Sequence, residues 1–266
     1  MLRDITLGQY YPADSVIHKL DPRVKLVGTL IFLVSLFIND NFIGYIPAVL
    51  FLIMAIVMCK VPFSFMVKGM RAILFILIFS VVLNVFLTTG EVLVSFWKFT
   101  ITKEGLMTAG MMAIRLTFLI IGSSIMTLTT TPNNLTDGLE KGLGFLKKIK
   151  VPVHEISMMM SIALRFIPIL MDETDKIMKA QMARGADFEQ KNVFKRVKSL
   201  IPLLVPLFVS AFRRANDLAM AMEARCYRGG EGRTKMKPLK YGRIDAIAYL
   251  VIFAYLGIVI ALKIVL

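Results

Sequence analysis

The residues best placed to do chemistry are two arginines in matched surroundings, Arg184 in Ala183-Arg184-Gly185 and Arg225 in Ala224-Arg225-Cys226, 41 residues apart. Aligning the segments lays Ile177 over Leu218, Ala180 over Ala221 and Ala183 over Ala224. The chemistry on offer is recognition: a guanidinium is a planar fork of donors that pairs bidentately with a carboxylate, and small neighbours let another backbone come close. A plainer reading also fits. Arginine is favoured in the last turn of any helix, Gly185 makes a C-terminal cap, and alanine has high helix propensity. One tip alone favours that plainer reading; two matched tips shift the balance toward docking onto two similar partners.

Other chemistry is missing from the sequence. No glycine-rich phosphate loop closing on Lys-Ser or Lys-Thr occurs, and the glycine-rich run from Arg228 to Arg233 follows no apolar strand pattern. The chain is therefore expected to be no enzyme, with no ATP hydrolysis of its own. Its two histidines, His18 and His154, are far apart, and Cys59 and Cys226 have no metal-ligand or disulfide spacing. The histidines read as structural and the cysteines as reduced thiols, and the chain is expected to bind no metal and no cofactor.

The elements that must position the arginines are legible as helices. From Phe166 to Arg184 the apolar residues Ile167, Leu170, Met171, Ile177, Met178 and Met182 recur at three- and four-residue spacing, with Asp172, Glu173, Lys176 and Lys179 opposite them. Leu203 to Arg225 repeats the pattern, with Leu204, Leu207, Phe208, Ala211, Leu218 and Met222 against Arg213, Arg214 and Asp217. Each amphipathic helix thus ends in one of the tips.

The rest of the chain reads as membrane. Of its 266 residues 57% are hydrophobic, and the mean hydropathy is +0.71, against about 45–50% apolar in a typical soluble domain. Met1 to Pro12 lacks the basic and apolar regions of a cleaved signal peptide, so the first span is expected to direct insertion. Apolar runs predict an all-α polytopic membrane protein with about five transmembrane helices, at about 26–39, 42–59, 72–90, 106–129 and 244–266, given roughly 17–25 residues per span. The first is short, with Asn39-Asp40-Asn41 as a turn into the second. The domain reading is 1–131 with four spans, 132–243 as a cytoplasmic region of long amphipathic coupling helices, and 244–266 as the last span. The segment between Pro132 and Arg243 carries 21 of the 32 lysines and arginines. By the positive-inside rule that segment and the N-terminus face the cytoplasm. The same bias argues that two further apolar stretches, Ile156–Met171 and Ser199–Phe212, lie at the inner interface. Arg115, inside the fourth apolar run, reads equally as an interfacial anchor or a functional contact.

These motifs, together with Gln9-Tyr10-Tyr11-Pro12-Ala13-Asp14-Ser15, Ile17 to Leu26, Val151-Pro152-Val153-His154-Glu155, Leu164 to Pro168, Pro202 to Leu207 and Glu223 to Gly230, resemble the CbiQ-like transmembrane T component of energy-coupling factor transporters, end to end. The resemblance implies a scaffold in vitamin and metal-ion importers. Such a scaffold joins two ABC ATPase subunits, as a homo- or heterodimer using ATP and Mg2+, to a small membrane substrate-binding S component, with several interchangeable S components in some systems. It implies that Arg184 and Arg225, flanked by Ala183, Gly185, Ala224 and Cys226, are the ATPase-docking residues. The family usually has glycine where this chain has Cys226. Nucleic acid is not an expected partner.

Three other functions remain in view. A conventional ABC permease would bind substrate among its own spans, where only Asn84 and Arg115 offer polar groups. A lipid-modifying enzyme would need clustered His, Asp or Lys at an interface. A lipid or nucleic-acid tether would carry unpatterned positive charge, which the amphipathic periodicity disfavours.

Overall fold

The computed structural model describes residues 10–38, 41–96, 99–186, 188, 193–230, 236 and 238–265. Gln9 and the Asn39-Asp40 part of the predicted turn lie outside them. The chain divides into two compact units, Gly8–Gly138 with Leu239–Leu266, and Leu139–Pro238.

The first unit opens with a single turn, α1 (Val16–Lys19), capped by the Ser15 hydroxyl. Helix α2 (Pro22–Ser35) follows, with Asp21 as N-cap and proline at its first position, where the missing N–H costs nothing. A 3-10 turn, Phe42–Tyr45, runs into α3 (Ile46–Cys59), and α4 spans Phe63–Leu87. Two short antiparallel strands, β1 (Val92–Phe96) and β2 (Phe99–Thr102), lead into α5 (Lys103–Thr129). This hairpin is the one departure from an otherwise all-helical architecture among the described residues. Thr102 caps α5 by accepting from the Gly105 N–H at 3.0 Å, and Glu104 accepts from the Glu91 N–H at 2.8 Å, fastening the hairpin to the helix. Helix α6 (Pro132–Gly142) leaves this unit, and α9 (Arg243–Val265) returns to it.

Helix α2 sits against α5 and α9 at two glycines. A Cβ at Gly122 would lie 2.6 Å from the buried Phe32 ring, and one at Gly28 would lie 2.8 Å from the end methyl of Ile252, which would have to shift. Phe32 stacks on Phe51, and Phe51 on Tyr255 at 4.5 Å between ring centres. The outside of the same unit is apolar, with Leu30, Val57, Phe75, Leu87 and Leu250 all well exposed. A bundle that is greasy both inside and out suits hydrocarbon, not water.

Among the described residues four helical stretches are long and apolar enough to cross a membrane: Phe42–Cys59, Lys103–Thr129, Val153–Ala183 and Arg243–Val265. The described apolar part of α4, Leu74–Leu87, is shorter. The run expected to span at 26–39 becomes a 14-residue helix ending at Ser35, about 21 Å against a hydrocarbon core of about 30 Å. At its end the Phe37 and Ile38 N–H groups bond to the Val34 and Ser35 carbonyls, three residues back, and the helix tightens into turns.

The second unit holds the 3-10 segment Leu143–Ile149 and two long helices, α7 (Val153–Ala183, 31 residues) and α8 (Val193–Ala224, 32 residues). Each merges stretches that the sequence separates. Ile156–Met171 and Phe166–Arg184 are one helix passing through Pro168, and Ser199–Phe212 and Leu203–Arg225 are one helix passing through Pro202 and Pro206. By length and composition α7 also qualifies as a span, so the charge distribution alone carries its interfacial reading. The two helices run antiparallel: Arg214 Nη2 donates to Glu173 Oε2 at 2.7 Å, while Gln181 Nε2 donates to the Pro202 carbonyl at 3.4 Å.

Candidate functional site

The two arginine tips have the same backbone geometry. In the first, the Gly185 N–H donates to the Met182 carbonyl at 2.9 Å and the Ala186 N–H to the Gln181 carbonyl at 3.0 Å. In the second, the Cys226 N–H donates to the Glu223 carbonyl at 2.8 Å and the Tyr227 N–H to the Met222 carbonyl at 3.0 Å. Each is a Schellman ending, with one residue in the left-handed region, Gly185 at φ +88° and Cys226 at φ +55°. Arg184 and Arg225 are the corresponding C-cap residues. The plainer reading of Gly185 as a cap is therefore correct for the backbone, and Cys226 fills the same role with a side chain present. All six residues, Ala183, Arg184, Gly185, Ala224, Arg225 and Cys226, are exposed. A Cβ at Gly185 would meet nothing within 4 Å, so this tip has open space around its backbone. Each guanidinium stands at the negative end of its helix dipole and is presented to the surroundings.

The chain immediately beyond the second tip is anchored. Gly229 takes φ +89°, and Gly230 lies against the His154 ring so closely that a Cβ would collide with it. His154 is itself held: Nδ1 lies 2.9 Å from Glu140 Oε1, and Ser157 Oγ donates to Glu140 Oε2 at 3.1 Å. The segment returning from the second tip thus rests on the first turn of α7. The motifs Val151 to Glu155 and Gly229-Gly230 are legible as signatures, but Glu140, which holds His154 in place, is not, because its partners are set by packing.

The other residues singled out fall in the first unit and do not join the tips. Arg115 Nε donates to Tyr45 Oη at 3.0 Å, with the Phe37 ring 5.2 Å from its guanidinium carbon. Asn84 donates to the Ser80 carbonyl of its own helix at 2.8 Å. His18 lies 2.7 Å from Ser15 Oγ and 3.0 Å from the Tyr11 carbonyl.

Residues Asp21 to Lys25 start α2 and fasten it to the start of α9 and the ends of α1 and α5. The Asp21 N–H donates to Asp245 Oδ1 at 2.8 Å, and Asp245 Oδ2 accepts from the Gly242 N–H at 2.7 Å, which pins the start of α9. Arg23 pairs with Asp21 through both Nε and Nη2 at 3.0 Å and stacks on Tyr241. Lys25 Nζ donates to the carbonyls of His18 and Thr129, at 3.1 and 2.9 Å, near the ends of α1 and α5. Burial pushes its ammonium down to about 8. Among the described residues no group of three His, Cys, Asp or Glu side chains could hold a metal ion.

Residues 13–236 match the model of the CbiQ family, described as cobalt transport protein. The energy-coupling factor transporter transmembrane protein EcfT of Clostridium kluyveri is 58% identical over 252 residues, covering 94% of this chain and 93% of its own length. That of Ruminiclostridium cellulolyticum is 54% identical, covering 93% and 92%. That of Bacillus subtilis is 48% identical, covering 90% and 91%. This similarity runs through both units and both tips, and the chain accordingly belongs to the CbiQ family, among the transmembrane components of energy-coupling factor transporters.

Proposed function

We propose that this chain is the scaffold of an importer for a vitamin or a metal ion. Two cytoplasmic ABC ATPase subunits, using ATP and Mg2+, dock on the tips around Arg184 and Arg225, and a separate small membrane S component captures the substrate. The observation that carries this reading is the pair of exposed arginines on identical Schellman endings. One exposed C-terminal arginine is ordinary; two with the same backbone and the same small neighbours suit a partner that offers the same groove twice.

A second surface fits the S component. Helix α8 exposes Ile201, Leu204, Val205, Phe208 and Phe212 at three- and four-residue spacing, a stripe that would be costly to leave in water. Met159 and Met160 on α7 are exposed as well, and thioether side chains repack readily against different partners. This suits interchangeable S components. In this scheme the N-terminus and residues 132–243 are cytoplasmic, ATP-driven closure of the ATPases displaces one tip relative to the other, and α7 and α8 carry that movement to the S component. The chain needs an element with two arrangements and no catalytic group of its own. The permease alternative draws no support from Asn84 and Arg115, whose amide and guanidinium groups are taken up by the Ser80 carbonyl and the Tyr45 hydroxyl.

Purifying the tagged chain from its native membrane and identifying the proteins that accompany it tests the proposal. Two ATPase subunits and a small membrane protein are expected. Recovery of the chain alone, or with nucleic acid or an enzyme other than an ATPase in their place, would overturn it.

A further inference from the structure

The 41-residue repeat and the packing of α7 on α8 coincide at one contact. Glu173 and Arg214 are themselves 41 residues apart, and they form the 2.7 Å ion pair between the two antiparallel helices. When two equivalent antiparallel helices cross on a twofold axis, a residue on that axis meets its own equivalent. Glu173 meets Arg214 in just this way, and the contact of Gln181 with the Pro202 carbonyl falls about one turn from the register an exact axis would give, so the symmetry is approximate. From Glu173 to Arg184 and from Arg214 to Arg225 is 11 residues in each case, so the tips lie equally far from the contact on opposite sides. A true twofold would bring like charges together there. This sequence inverts them: Asp172-Glu173 is replaced under the shift by Arg213-Arg214, and Lys176 by Asp217.

We infer that Glu173–Arg214 lies on an internal quasi-twofold axis of the α7–α8 arm and is the positioning contact that sets the register, and hence the spacing, of the two tips. A partner docked on both tips must span about 30 Å along the helices, at 1.5 Å rise per residue. The statement about the partner rests on the docking reading above, whereas the axis and the register do not. The side chains of the pair are 37% and 29% exposed, so the pair contributes little to folding and its role is to select one register over its neighbours. Opposite charges at equivalent positions also stop either helix from pairing with a second copy of itself, since Glu173 would then face Glu173.

The test uses the full chain, with spin labels at Met182→Cys and Glu223→Cys, two positions equivalent under the shift, in a Cys226→Gly background that removes the exposed thiol. One narrow label-to-label distance is expected in this parent. Glu173→Arg alone and Arg214→Glu alone should broaden or shift it, and the double exchange should restore it. Retention of the ATPases, measured in parallel, should fall about five-fold in each single reversal and return to within about two-fold in the exchange. If a reversal fails to insert, Glu173→Gln and Arg214→Gln read the same distance. An unchanged distance in the single variants, or a double exchange that stays as broad as either, would overturn the inference. If the distance responds as expected but ATPase retention does not, the register stands and the docking reading fails.

Discussion

Cys226 holds a backbone conformation that its side chain resists. At φ +55° its Cβ crowds the following carbonyl, a strain that costs an ordinary residue roughly 1–2 kcal/mol and glycine almost nothing. Gly185 holds the equivalent position in the first tip at φ +88°. Replacing Cys226 with glycine should therefore raise stability, by about 0.5–1 kcal/mol once the greater unfolded-state freedom of glycine is subtracted. Gly185→Ala should lower it by a similar amount. Thermal unfolding in detergent checks both, and opposite shifts are the expected outcome. Gly230 makes a different demand, for space. Gly230→Ala drives a methyl group into the His154 ring and should destabilise the second unit, and adding His154→Ala should recover part of that loss. Additive losses in the double variant would mean that the two residues do not touch.

At the scale of elements, the amphipathic periodicity of α7 and α8 is readable because apolar residues at three- and four-residue spacing are what a one-sided helix requires. Their matched ends are readable for the same reason. Their continuity is not: Pro168, Pro202 and Pro206 each remove a backbone donor and look like breaks until packing holds the helix through them. The early end of α2 is also hidden, since Leu36, Phe37 and Ile38 are as apolar as the helix before them, yet the chain tightens there into turns bonded three residues back. The hairpin before α5 is short, and its tie to Glu104 is a tertiary contact. Lys25 stands one residue before the first predicted span, but its two carbonyl partners lie beyond its own helix, one of them on an element distant in sequence. Its burial has a consequence of definite sign for the pH dependence of stability. Burial holds Lys25 at about 8 when folded, against 10.5 ordinarily, so between these values the unfolded chain binds more protons than the folded one and stability rises with pH. Below about pH 8 both states are protonated and the cost of burying the charge is constant. Melting curves from pH 7.5 to 10.5 should show this rise relative to Lys25→Met, and parallel profiles for the two chains would contradict it.

At the scale of the whole molecule, the chain combines a unit whose outer surface suits lipid with a unit built on two long helices that expose arginine at both tips. The family to which the chain belongs is one of transporter components. In the docking proposal the chain's contribution is one of shape and charge: two guanidiniums presented on matched Schellman endings, held apart by the helices between them. That claim is tested most directly by purifying the Arg184→Glu, Arg225→Glu double variant from membranes alongside the unaltered chain and measuring the ATPase subunits retained per chain. The double variant is expected to insert in equal amount and retain essentially no ATPase, while each single variant retains an intermediate amount. Undiminished retention by a normally inserted double variant would contradict docking through the arginines.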